Sequence, residues 1–172
     1  QLQELAESHG QGPKDDPLDK DSEENVNKRR IGLIQSGVVA ALKSLSRDAS
    51  QTTSLQISKC FRLLSSEIAA RGFIVQQGGL TLLMNKCGEK KSEEKICLDI
   101  SSESQHAIAK TLVTTNPNLL TEAQRLGCVR PLLALCKDHK ATNLMQFEAL
   151  LSLANLSSTG LTVKQRIVDE KG

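Results

Sequence analysis

The sequence has no tryptophan, no tyrosine and only three phenylalanines in 172 residues. An interior without large rings must be filled by interdigitating Leu, Ile, Val and Ala side chains. That composition favours packed helices over a β-sandwich, where aromatic and β-branched residues are enriched. A charge bias is also lacking. The 22 Lys and Arg stand against 20 Asp and Glu, a formal +2, so there is no sequence-wide electrostatic case for nucleic acid or an anionic membrane as partner. No run reaches the roughly 18 apolar residues of a membrane span, and no signal-peptide pattern opens the chain.

Catalytic and metal-binding signatures are missing as well. Cys60, Cys87, Cys97, Cys128 and Cys136 are odd in number and have no C-x-x-C spacing, so zinc is not expected. Most lie in apolar helical runs, where free Cys behaves as a small hydrophobe, and a reducing, cytoplasmic setting fits them best. His9, His106 and His139 have no Cys or Asp partner at a motif spacing. No G-x-x-x-x-G-K, G-x-G-x-x-G or H-E-x-x-H is present. The expectation is therefore a binding protein, not an enzyme, with no cofactor.

What the sequence does contain is a repeated phrase. IQSGVVAALKSLSR, VQQGGLTLLMNKCG and QRLGCVRPLLALCK each place a turn glycine before an apolar helix. The glycines are Gly37, Gly78 and Gly127, separated by 41 and 49 residues, and Gly172 follows after another 45. Periods of about 40–47 residues are those of HEAT and armadillo arrays. The pattern predicts an all-α, right-handed armadillo solenoid of about three repeats, at about 22–70, 71–115 and 116–160, with a further repeat starting at 161–172. A first residue of Gln and a final turn glycine lead us to expect a fragment cut from a longer solenoid.

The helices expected are 22–35, 38–46 and 53–68, then a short one near Phe73, 80–86 and 102–114. Asn116-Pro117 signals a stop and restart, followed by 118–126, 129–137 with Pro131 in its first turn, 142–157 and 161–171. Residues 1–21 read as a short leading helix at 2–7 and a Gly-, Pro- and acid-rich linker at 8–21; the stretch 88–103 reads as a charged loop that lengthens the second period. Counting back eighteen residues from three of the glycines reaches Cys60, Ala109 and Ala154, small residues suited to close helix contact.

The phrases VVAALKSL, VRPLLALC, TTNPNLLTEAQRLG and FEALLSLANLSSTGLTVKQRIVDEKG resemble the UCS-domain myosin chaperones of animals. The resemblance runs from about Lys28 to Gly172 and is strongest from Asn116 onward. It implies a modular co-chaperone with an N-terminal tetratricopeptide domain for cytosolic heat-shock chaperones, a central armadillo region and a C-terminal domain for the myosin motor. No tetratricopeptide pattern occurs in this chain, which resembles the junction of the central and C-terminal parts. The implied partners are the myosin motor domain and, through a domain absent from this chain, heat-shock chaperones. A general armadillo scaffold is the alternative. A nuclear-import adaptor is disfavoured, because that class lines its groove with Trp.

Armadillo proteins often place an Asn on the third helix, facing a groove, where its amide both donates to and accepts from a peptide backbone. Asn155 fits, with Glu148 and Ser152 at helical spacing beside it. Counting seventeen residues back from the glycines gives Phe61, Lys110 and Asn155, so no asparagine ladder is expected. Lys110 and His106 complete the candidate partner-binding set. Mutating Asn155 and Lys110 together is expected, on this reading, to weaken myosin binding with little change in melting temperature.

Overall fold

The computed structural model describes residues 23–88 and 94–172. Within them it is all helical: α1 (Glu23–Gln35), α2 (Val38–Leu45), α3 (Gln51–Leu64), α4 (Ile68–Gln76), α5 (Gly79–Gly88), α6 (Lys95–Leu112), a 3-10 turn (Pro117–Leu119), α7 (Glu122–Lys137), α8 (Asn143–Ser157) and α9 (Leu161–Asp169). The leading helix, the linker and the proposed cap at Asp21 or Ser22 lie outside the described residues.

The stack follows from amphipathic faces. α3, α6 and α8 lie side by side, α3 along α6 and α6 along α8, while the shorter helices pack around them. One continuous aliphatic core results, including Ile34, Val39, Leu64, Ile74, Leu80 and Leu83 in the first half and Ile108, Leu112, Leu132, Leu135 and Leu156 in the second. Phe61 is the one buried ring, fully enclosed. Burying each such aliphatic side chain contributes about 1.5–3 kcal/mol against leaving it exposed.

Helix starts follow local chemistry. Ser50, Thr121 and Thr142 cap α3, α7 and α8 by accepting from the backbone N–H three residues on, and Gln124 Oε1 in turn accepts from the Thr121 N–H, closing a capping box. Asn116 accepts from the Asn118 N–H as Pro117 opens the 3-10 turn.

Several expected boundaries move. The third helix of the first repeat ends at Leu64, and Ile68 already belongs to α4, because Glu67 caps a new helix there. The 88–103 loop is largely helix: α5 continues to Gly88 and α6 begins at Lys95, leaving 89–93 outside the described residues. Glu and Lys tolerate a helix interior well, so charge alone was a poor loop signal.

The glycine phrase is the larger correction. Gly37 and Gly78 do adopt left-handed backbone, with φ of 89° and 81°. Gly127 does not; it lies inside the unbroken helix α7, as does Pro131, which was expected to open a new helix. Pro131 lacks the N–H that would bond the carbonyl of Gly127 four residues earlier, and the missing Cβ of Gly127 leaves room for the Met84 methyl of α5. At the chain end Lys171, with φ of 58°, takes the left-handed turn. Its N–H bonds Val168 O and the Gly172 N–H bonds Ile167 O, a Schellman closure that puts Gly172 one position beyond the turn.

Candidate functional site

The polar residues singled out from the sequence gather where the third helices meet. α3, α6 and α8 end at the caps Ser65, Val113 and Ser158. Aligned on those caps, Arg62, Lys110 and Asn155 occupy one position, three residues before each cap. Counting from glycines had put Phe61 in that series, because Gly127 and Gly172 are not turn positions. Phe61 instead aligns with Ala109 and Ala154; the first two are fully buried, whereas Ala154 is exposed.

A second, acidic series meets Arg62 in one case and His106 in the other. Glu103 and Glu148 each stand ten residues before their cap, and each reaches back to the preceding repeat. Arg62 Nε lies 2.5 Å from Glu103 Oε2. His106 Nε2 lies 3.2 Å from Glu148 Oε2, with side-chain exposures of only 12% and 14%. Arg71 of α4 ties both helix ends together, donating from Nε to Ser65 O and from Nη1 to Thr114 Oγ1, both at 2.8 Å. Lys110 Nζ donates to Ser66 Oγ at 3.3 Å.

Burial governs the electrostatics of this seam. It pushes His106 down to about 4, helped by the charges of Lys110 and Arg62. The imidazole is therefore neutral at pH 7, and with Glu148 ionised its Nε2–H donates to the carboxylate. Lys110 is lowered chiefly by burial and partly by Arg62, Arg71 and Arg30, with Glu148 opposing. Glu148 is raised by burial, against the pull of Lys110 and Arg71. Desolvation acts on every member, and the charges partly offset it.

Two of the five candidate residues are consumed internally. Ser152 is fully buried and donates to Ala109 O at 2.9 Å, so it is not a partner contact in this arrangement. Asn155 commits both amide hydrogens to the end of α6, at 3.0 Å to Leu112 O and 2.9 Å to Thr115 O. Neither side chain points its donors at an open groove; α6 lies there instead. Lys110, Glu148 and His106 keep partial exposure at the seam's edge. Sequence reading missed Arg62, Glu103 and Arg71, whose only sequence signal was charge on a helix.

Burial disfavours the thiolate at three of the cysteines. Burial pushes the Cys87 thiol up to about 12 and raises Cys128 and Cys136, which makes them poor nucleophiles. Among the described residues no group of three or more His, Cys, Asp or Glu is placed to hold a metal ion.

Protein unc-45 homolog B from Mus musculus is 31% identical to this chain over 176 aligned residues, spanning 99% of the chain. The Xenopus laevis homolog is 32% identical over 157 residues, 88% of the chain. The chain is homologous to the UNC-45 proteins. The fold agrees: UNC-45 from Drosophila melanogaster superposes with a TM-score of 0.75 at 29% identity over 100% of the chain. The myosin chaperone UNC-45 from C. elegans, solved in complex with a Hsp90 peptide, gives 0.72 at 29% identity over 88%. These likenesses confirm the armadillo-like helical repeat. The chain spans less than a fifth of the curated relatives' length, 18% of the mouse protein and 16% of the frog one. It covers 21% and 16% of the two solved UNC-45 chains. No family model matches.

Proposed function

We propose that this chain is a segment of a myosin-directed co-chaperone that assists folding and assembly of the myosin motor domain. The observation that carries the reading is the collinear match to UNC-45 across nearly the whole chain, in sequence and in fold together. A neighbouring domain outside this chain would supply the heat-shock chaperone contact, consistent with the Hsp90 peptide in the C. elegans complex. Within this segment the contact surface is the exposed edge of the seam, formed by Lys110, Glu148, His106 and Arg62, with Asn155 and Ser152 fixing the helices that present it. A cytoplasmic location, a non-enzymatic role and the absence of nucleic acid or lipid from the interaction belong to the same proposal. No helix among the described residues is long and apolar enough to cross a membrane.

One observation favours a second reading, an armadillo scaffold segment. The polar groups of the seam are largely spent on one another, as in a spacer that fixes neighbouring domains.

Surface-immobilised chain exposed to purified myosin motor domain distinguishes the two. Saturable binding that weakens with Lys110→Ala at unchanged fold supports the chaperone reading. No binding at tens of micromolar, with a full-length relative binding in parallel, assigns the segment to the scaffold role.

A further inference from the structure

A cleft runs beside the N-terminal half of α6, and none of its lining residues belongs to the seam. The first turn of α6 forms one wall, with Leu98 at 48% exposure; Gln51 at the start of α3 lies against that turn, donating to Glu94 at 3.2 Å. The turn between α7 and α8 forms the other, through Asp138, Lys140 and Ala141.

Two cavities make up the cleft, one of about 290 Å³ and one of about 640 Å³. Ser101, Gln105 and Ala134 line both, so the two adjoin along α6. The smaller is closed by Met84, Cys87 and Pro131 and carries Arg130 and Arg166. Arg166 shares its charge with Glu170 at 2.8 Å, whereas Arg130 is exposed and enters none of the ion pairs among the described residues. The larger is walled by Leu98 and Met145 and bears Lys95 with Asp99 on α6 and Lys140 with Asp138 on the facing turn. Among the described lining residues four cations stand with two carboxylates, and Glu170 beside Arg166 leaves an excess of one positive charge.

We propose that this cleft binds an extended acidic peptide segment of a partner protein, with a Glu or Asp carboxylate held at the Arg130 and Arg166 end and an apolar side chain against Leu98 and Met145. Guanidinium groups match carboxylates bidentately. Gln105 Nε2 donates to Ser101 Oγ at 3.1 Å, which leaves the Ser101 hydroxyl hydrogen and the Gln105 carbonyl to meet a peptide backbone. Met84 and Met145 can repack around differing side chains. The excess of cations sets the sign of the ligand, and the apolar walls suit side chains better than a nucleic-acid backbone. This inference stands apart from the proposed function, since it involves another set of residues.

Selection of phage-displayed random octapeptides on the whole chain tests it. The expected result is enrichment of sequences with Asp or Glu beside Leu, Ile, Met or Phe. A synthetic peptide of the enriched sequence, followed by fluorescence anisotropy in low salt, should lose at least tenfold in affinity to the Arg130→Ala/Arg166→Ala variant. It should lose as much when its own Glu is replaced by Gln. Both arginines are exposed, so the variant should melt with the parent. Lys110→Ala should bind normally. The proposal is overturned by selection without acidic enrichment, by acidic peptides that the double variant binds equally, by loss in Lys110→Ala alone, or by binding that requires phosphoserine in place of Glu.

Discussion

The side-chain amide of Asn155 on α8 donates to the Leu112 carbonyl at the end of α6, at 3.0 Å, so the residue best placed by sequence to grip a peptide grips the preceding repeat instead. The unsatisfied carbonyls at a helix C-terminus need donors, and the second hydrogen bond, to Thr115 O at 2.9 Å, completes the clasp.

Asn155→Ala should therefore destabilise the fold by about 1–3 kcal/mol, since two carbonyls lose a partly buried donor. Asn155→Asp should cost at least as much, because a carboxylate cannot donate and would face those carbonyls. Urea unfolding followed by far-UV circular dichroism measures both. This reverses the expectation that an Asn155 and Lys110 double variant leaves melting unchanged; a melting temperature indifferent to Asn155 would contradict the clasp.

His106 makes stability depend on pH. Its folded value of about 4 lies below the ordinary 6.5, so between those limits the unfolded chain binds more protons than the folded one. Its contribution is complete above about pH 6.5 and is lost as pH falls toward 4, at up to about 1.4 kcal/mol per pH unit. Glu148 is raised and acts in the opposite sense, so the two partly offset. Replacing His106 by Gln should flatten the decline between pH 6.5 and 4.5; unfolding curves at half-unit steps read it, and parallel profiles would remove His106 as the cause.

Ile57 and Leu150 occupy the same position, eight residues before the caps of α3 and α8. Ile57 is 3% exposed beneath α6, while Leu150 is 57% exposed. Ile57→Ala should cost about 2–5 kcal/mol, from lost transfer energy and the cavity left behind. Leu150→Ala should change stability by less than about 0.5 kcal/mol. Equal effects would refute the assignment of Ile57 to the core and Leu150 to the surface.

Gly37 and Gly127 separate the two meanings of the glycine phrase. A Cβ at Gly37 meets nothing within 4 Å, but its φ of 89° is strained for an L side chain, so Gly37→Ala should cost about 1–2 kcal/mol. At Gly127 the backbone is helical and the Cβ would meet only the end of Met84. Ala there gains helix propensity while Met84 moves aside, and the net change should stay within about 0.5 kcal/mol. Thermal melts of the two variants provide the comparison.

The helices and their class were legible because they depend on local chemistry. Leu, Ile, Val and Ala at helical spacing and the left-handed glycines at Gly37 and Gly78 announce their roles within a few residues; the T-x-x-Q box at Thr121 is as local, though the expected helix 118–126 runs through it. Gly127 carried the same phrase without the same job. Nothing within five residues of it records that Met84 comes to rest against it.

The candidate site divides in the same way. An all-helical stack of repeats can be read along the chain, because hydrophobic periodicity and turn chemistry are local. Packing between distant helices is what turns Asn155 and Ser152 inward, carries Glu103 and Glu148 back one repeat, and brings the turn after α7 up to α6 to form a cleft. Those relations join residues about forty positions apart, and whether a polar side chain meets water or a carbonyl depends on which helix packs over it.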